Sequence, residues 1–312
     1  MTASREIPPW EQAFAERRLS LADKLTLKIS TRLRWQIRDR IARRLLTGDG
    51  VEIGAQYVPT KVDPAKARVE YVDAVTNEHL ASRYDLGSKP LVPLAHVVEG
   101  VELTPYTDGV KDFLIAHHVL EHIDDPVGAV VEWLRVLRDG GILFISVPNF
   151  RGNWFDFRRT PPDRAHFAHD HADPTGRPAR NFQHYCDMAQ SMWQRPEGDP
   201  RITTQAQAWI DAGDRHHYHV YDEPALRAVL DLASEATGHS LRIEGCILLD
   251  HGFELLVAVR KLPKGAPGIA WPPRRISRSA SLLALARTVV SELTGRSLEA
   301  VGIRAAERNH LR

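Results

Sequence analysis

The segment Leu114 to Pro126 reads LIAHHVLEHIDDP and carries His117, His118, Glu121 and His122 within six residues. If a helix begins near His118, positions 118, 121 and 122 are spaced i, i+3 and i+4 and lie on one face. Two imidazoles and a carboxylate on one face suit a divalent cation of borderline hardness. Such an ion can grip neighbouring hydroxyls and lower the pKa of one of them. An imidazole alone, His122 first, can instead serve as general base, or cap and pack with no chemistry at all. Downstream, HHYHVYD supplies His217 and His219, which share a face if that piece is extended.

A second concentration of chemistry falls in RTPPDRAHFAHDHADP and NFQHYCD. His166 and His169 are further candidates for the catalytic base. Asp170, His171, His184 and Tyr185 have the character of a pocket for a hydroxyl-rich substrate, with Arg158, Arg159 and Arg164 as extra donors. Trp154, Phe155, Phe157 and Phe167 could stack on sugar faces or form a small local core. Taken singly, each of these histidines reads as a surface or hydrogen-bonding residue; as a cluster they gain weight as a site.

These residues need a scaffold, and short apolar runs alternating with helical stretches describe one: a parallel sheet in an α/β domain. The candidate strands are GVEIGA, RVEYVD, PLVPLAHVV, DFLIAH, GILFISVPN, LRIEGCILL and FELLVAVRK. A helix is expected from Val127 to Leu137, closed by Asp139-Gly140-Gly141. Only a brief Asp-His-Gly link joins the last two strands. A parallel crossover needs about a dozen residues, so that pair should be antiparallel. The first strand ends in Gly54, where backbone can approach a ligand, and Asp73 ends the second, where a carboxylate can take both hydroxyls of a ribose. Ala55-Gln56 follows in place of further glycines, which argues against a dinucleotide; a nucleoside without phosphates would tolerate their absence better, and an ordinary buried strand pair is the other reading.

Around this core, residues 1–47 read as an amphipathic helical segment with Leu21, Leu25, Ile29, Leu33, Ile37, Ile41 and Leu45 on a drifting stripe. Its other faces are basic, suiting a solvated helix packed on the core or on a second subunit, or a polyanion or membrane surface. Residues 48–262 form the core, with an inserted cap at about 151–222. Residues 263–312 read as a Pro-rich linker and a C-terminal helix.

The order VEIGA, YVD, DFLIAHHVLEHIDDP and EWLRVLRDGGILFISVPN resembles a class I S-adenosyl-L-methionine-dependent methyltransferase, most specifically from Asp112 to Asn149. The resemblance implies a Rossmann-like, doubly wound seven-stranded sheet with an antiparallel last strand. It implies that Glu52, Gly54 and Ala55 pass the methionine part of S-adenosyl-L-methionine, that Asp73 binds the ribose, that Val98 and Glu99 flank the adenine, and that Ala116 and His117 lie beside the methyl group. The chain departs from the family in lacking GxGxG at the first motif and in having Val98-Glu99 where a small acidic motif is usual. HxxEH resembles Glu-x-x-Glu-His of metal-assisted O-methyltransferases of the ubiquinone pathway and of small-RNA 2′-O-methylation. By that likeness His118, Glu121, His122, His217 and His219 are candidate ligands of Mg2+ or another divalent metal. The degenerate first motif, HHVLEHIDDP, the His/Asp-rich insert and HYHVYD also look similar to bacterial enzymes that methylate sugar hydroxyls in polysaccharide biosynthesis, including methylmannose polysaccharide synthesis in mycobacteria.

The expectation is therefore O-methylation of a sugar or oligosaccharide. A phenol, a polyketide, a nucleic-acid ribose or a non-catalytic scaffold are the other readings. A net charge of +1 disfavours DNA as a partner. Two cysteines outside any CxxC pair, no signal-like N-terminus and no apolar run of membrane-spanning length suggest a reduced, cytoplasmic protein. The apolar stripe allows a homodimer.

Overall fold

The computed structural model describes residues 34–83, 89–150, 156–249 and 254–267. The elements are helix α1 (residues 34–45), β1 (Gly48–Ile53), β2 (Ala67–Asp73), α2 (Asn77–Arg83), β3 (His96–Val97), β4 (Lys111–His117) and a 3-10 turn (Leu120–His122). Then follow α3 (Pro126–Val136), β5 (Leu137–Pro148), α4 (Arg164–Ala172), α5 (Arg177–Trp193), α6 (Pro200–Asp211), α7 (Glu223–Thr237), β6 (His239–Leu249) and β7 (Glu254–Lys264).

The seven strands form one sheet in the order β3-β2-β1-β4-β5-β7-β6. β1 runs parallel to β2 and β4, and β4 parallel to β5, whereas β7 is antiparallel to both β5 and β6. The sheet is the Rossmann-like doubly wound α/β arrangement that the resemblance implies, and the last two strands are the antiparallel pair expected from their short link.

The central strands are apolar on both faces because both faces are covered. On β4, Leu114 and Ala116 face one layer, with Trp133 of α3 and Leu226 and Val229 of α7, while Phe113 and Ile115 face the other, with Ala42 and Leu46 of the α1 segment. The apolar stripe of α1, where described, thus packs on the sheet: Ile37, Ile41 and Leu45 join that second layer. Leu21, Leu25, Ile29 and Leu33, and the linker and helix expected from residue 268 onward, lie outside the described residues.

Several boundaries differ from expectation: β5 already starts at Leu137, so Asp139-Gly140-Gly141 lie within it rather than close the preceding helix. PLVPLAHVV contributes only His96–Val97 to the sheet; Pro90 and Pro93 have no N–H to give a ladder. β1 begins at Gly48, two residues before GVEIGA, and ends at Ile53. Four helix starts follow one rule. Asp125, Asp163, Asp199 and Asp222 each accept a backbone N–H of the first turn of α3, α4, α6 and α7, with proline at the first or second helical position of all but α4. The cap has its own small core, in which Tyr185, Met188 and Ala189 of α5 pack on Ile202, Ala206 and Trp209 of α6.

Candidate active site at the carboxyl ends of the strands

The chain leaves β1 through Gly54, whose φ of +70° is a left-handed conformation costly for other residues. A Cβ there would also stand 3.2 Å from Val119 Cγ2. This turn opens a cleft of about 240 Å³ lined by Glu52, Gly54, Ala55, His117 and His118 and by Arg34 and Arg38 of α1. Arg38 is buried, and its Nε has no hydrogen-bond partner among the described residues. Glu52 is turned inward: both carboxylate oxygens accept the Thr60 N–H, and Oε1 also accepts Thr60 Oγ1 at 2.7 Å. Burial pushes its carboxyl up to about 7.

Asp73 ends β2. Oδ1 accepts the Val75 N–H at 3.4 Å, while the buried Oδ2 has no hydrogen-bond partner among the described residues. Burial raises its pKa. A buried carboxylate oxygen with nothing to accept fits a ligand hydroxyl, the role a ribose would fill. Val98 donates its N–H to Asp73 O, and Glu99 forms a bidentate pair with Arg215 at 2.6 Å for each contact.

β4 ends in buried Ala116 and His117. His117 Nδ1 lies 3.0 Å from Ser146 Oγ, and burial holds this imidazole well below its ordinary pKa. His118 follows with a φ of +55°, a left-handed turn that reverses the strand. The segment beyond it is a single 3-10 turn rather than an α-helix, so the i, i+3, i+4 face does not form. His118 pairs instead with Glu121 Oε1 at 3.2 Å and Glu254 Oε2 at 3.7 Å. Burial alone would lower its pKa, but these carboxylates outweigh it and push it up to about 9.

The 3-10 turn presents Glu121 and His122 to His217, and ligand atoms of the three lie within 4.8 Å of one another. Nδ1 of His122 is 3.1 Å from Arg215 O, and Nδ1 of His217 is 2.7 Å from Asp156 Oδ2. Each imidazole is thus oriented through Nδ1, the arrangement that gives metal-ligating histidines a fixed tautomer with Nε2 as the ligand atom. Glu121 Oε2 is buried without a hydrogen-bond partner among the described residues. Burial opposes its ionisation, but His118, His122 and His217 prevail and lower its pKa. Burial and the neighbouring His217 pull His122 down to about 4. The donor set fits a divalent cation.

His217 and His219 do not share a face. The chain bends at Tyr218, whose N–H donates to Glu121 O and whose ring stacks on Tyr185 at 5.0 Å. His219 turns away to Asp170, where it joins His166 and His184 in a separate cluster. Two further cap residues expected to contact substrate bond to other parts of the protein. His171 Nδ1 lies 3.2 Å from both oxygens of Asp125, and Tyr185 is buried and donates to Asp214 O. His169 is largely exposed, with Nε2 3.3 Å from Arg180 Nη1. Phe167 belongs to the main core, stacked on Tyr221, and Arg158 lies over the Phe157 ring. Arg159 donates to His217 O and Tyr218 O, and Arg164 pairs with Glu235. Trp154 and Phe155 lie outside the described residues.

Sequence reading missed four groups here: Arg38, Asp156, Arg215 and Glu254. Only the basic face of the first helix hinted at Arg38. The other three are joined to the site by contacts spanning sixty or more positions.

Residues 43–145 match the family model described as a methyltransferase domain. Over that span, about a third of the chain, the protein is similar to methyltransferase domains. No curated protein matches the chain. Among solved structures it is similar to a possible exported protein from Bordetella parapertussis, at 18% identity over 84% of this chain and 76% of that one with a TM-score of 0.40. It is similar to a SAM-dependent methyltransferase from Aquifex aeolicus at 12% identity, over 76% and 97% of the two chains, TM-score 0.38. A SAM-dependent methyltransferase structure from Methanosarcina mazei shares 17% identity over 71% and 97%, TM-score 0.36. Likenesses this distant say nothing of the acceptor. No helix among the described residues is long and apolar enough to cross a membrane.

Proposed function

We propose that the protein methylates a hydroxyl of a sugar or glycan, with Glu121, His122 and His217 holding Mg2+ or another divalent cation against the acceptor oxygen. The observation that carries this reading is the trio itself: two imidazoles, each aligned through Nδ1, and a carboxylate with an unsatisfied buried oxygen, next to the end of β4. When bound, S-adenosylmethionine supplies a methyl carbon activated by the sulfonium, and the cation supplies charge that makes a hydroxyl easier to deprotonate.

The chain's own residues do the rest. Arg38 is suited to the carboxylate of the cofactor's amino-acid end, Gly54 and Ala55 let it pass close to backbone, and Asp73 Oδ2 accepts a ribose hydroxyl. Ala116 and His117 form the floor at the end of β4. His118 carries a proton near neutral pH and neutralises Glu254 and Glu121, so it holds charge in place and cannot act as the base. His122 is neutral under the same conditions; where no cation is held, its Nε2 is the atom that can accept the hydroxyl proton. Two neighbouring hydroxyls are what a cation with three protein ligands and open positions grips best, which favours a sugar among alcohols.

The test is transfer of radiolabelled methyl from S-adenosylmethionine to mono- and oligosaccharides, in chelator and after Mg2+ or Mn2+ is restored. The reading expects alkali-stable methyl ethers, label lost in chelator and regained with the ion, and no regain in Glu121→Gln. Undiminished transfer in chelator contradicts the metal role. Label that alkali releases as methanol contradicts a hydroxyl acceptor.

A further inference from the structure

The second histidine cluster lies apart from the Glu121 trio and has no part in the chemistry above. His166 and Asp170 sit one turn apart on α4, His184 comes from α5, and His219 from the stretch after α6. Their ligand atoms lie within 4.8 Å of one another. The Nε2 atoms of all three imidazoles gather at one oxygen, Asp170 Oδ2, at 2.9 Å from His219, 3.1 Å from His166 and 4.0 Å from His184. The ring centroids are only 4.6 to 5.5 Å apart. The other oxygen, Oδ1, is taken by Arg180 Nε.

Hydrogen bonding does not explain the arrangement. A neutral imidazole has one N–H, and a carboxylate oxygen that already accepts from His219 has little left for two more rings. His184 is 7% exposed, yet its Nε2 has no hydrogen-bond partner among the described residues, and the 3.1 Å approach of His166 Nε2 to Asp170 Oδ2 is not aligned as a hydrogen bond. Buried polar atoms are normally satisfied. A cation in the centre would satisfy all four at once.

From this convergence we infer a second metal site, a structural zinc ion held by His166, Asp170, His184 and His219. Three imidazoles and one carboxylate oxygen are a zinc donor set, and four protein ligands close the tetrahedron, leaving no position for substrate. Arg180 on Asp170 Oδ1 supplies the outer contact that orients a ligating carboxylate. The ion would pin α4, α5 and the Tyr218 bend together, and so fix the bend that delivers His217 to the Glu121 trio. The inference does not depend on the methyltransferase reading.

Cobalt reports the site directly, because four-coordinate Co2+ absorbs far more strongly in the visible than six-coordinate Co2+. Metal-free full-length protein is titrated with Co2+, with elemental analysis for zinc in parallel. The expected result is one equivalent of intensely coloured, four-coordinate cobalt that zinc displaces. It should persist in the Glu121→Gln/His122→Gln variant and vanish in His184→Gln. Should His184→Gln fail to fold, the first variant still decides. Loss of the four-coordinate bands in Glu121→Gln/His122→Gln, or their absence from the wild type, overturns the inference.

Discussion

Arg38 and Glu52 face the same cleft and make opposite demands on it. If the Arg38 guanidinium meets the amino-acid carboxylate of the cofactor, Arg38→Met should weaken S-adenosylhomocysteine binding by about 10–100-fold, the range of a charged hydrogen bond. The same change should leave 5′-methylthioadenosine, which lacks that carboxylate, bound as before; equal losses for both ligands in calorimetry would contradict the assignment. Glu52 concerns stability. Its native pKa of about 7 lies above the ordinary carboxyl value, so the fold holds this proton more tightly than the unfolded chain does. That contribution is complete below about pH 4.5 and disappears as pH rises through 7, about 3 kcal/mol in all. Urea unfolding of Glu52→Gln should therefore show a shallower loss of stability than wild type between pH 5 and 7.5. Parallel curves would contradict it.

The two aspartates of HIDDP couple elements. Asp125 caps α3 by accepting the Gly128 N–H at 2.8 Å and also receives Arg177 of α5 and His171 of α4, while Asp124 accepts Asn181 of α5. Asp125→Ala should cost about 1–2 kcal/mol from the helix cap alone. It should also raise proteolysis within the cap before the core unfolds, and a loss confined to global stability would limit Asp125 to capping. The sheet was legible because central strands buried on both faces read as continuous apolar runs, and because three linking residues permit only an antiparallel pair. The third strand was overread, since its apolar residues hid the two prolines that keep it out of the ladder. In the candidate site, the short spacing of Glu121 and His122 was visible at once. The bend at Tyr218 that separates His217 from His219 was not, because it is made by tertiary contacts to Glu121 and Tyr185. The gathering of His166, His184 and His219 at Asp170 was hidden for the same reason.

Taken whole, the molecule is a sheet whose carboxyl rim holds Gly54, Asp73 and His117, crossed by the 214–221 stretch of the cap, which bonds to Glu99, Glu121 and Asn149 of the core and to Asp170 of α4. A net charge of +1 gives no strong long-range field, so KM for a neutral sugar acceptor should change less than about twofold between 50 and 300 mM salt. A steep loss of affinity with salt would point to a polyanionic acceptor instead. Calorimetric titration of S-adenosylhomocysteine into the metal-free protein and its Asp73→Ala variant tests the central claim most directly. Saturable one-to-one binding that Asp73→Ala weakens about 10–100-fold is the expected result; no heat with the folded wild type, or equal affinity in both proteins, would contradict a nucleoside site on this rim.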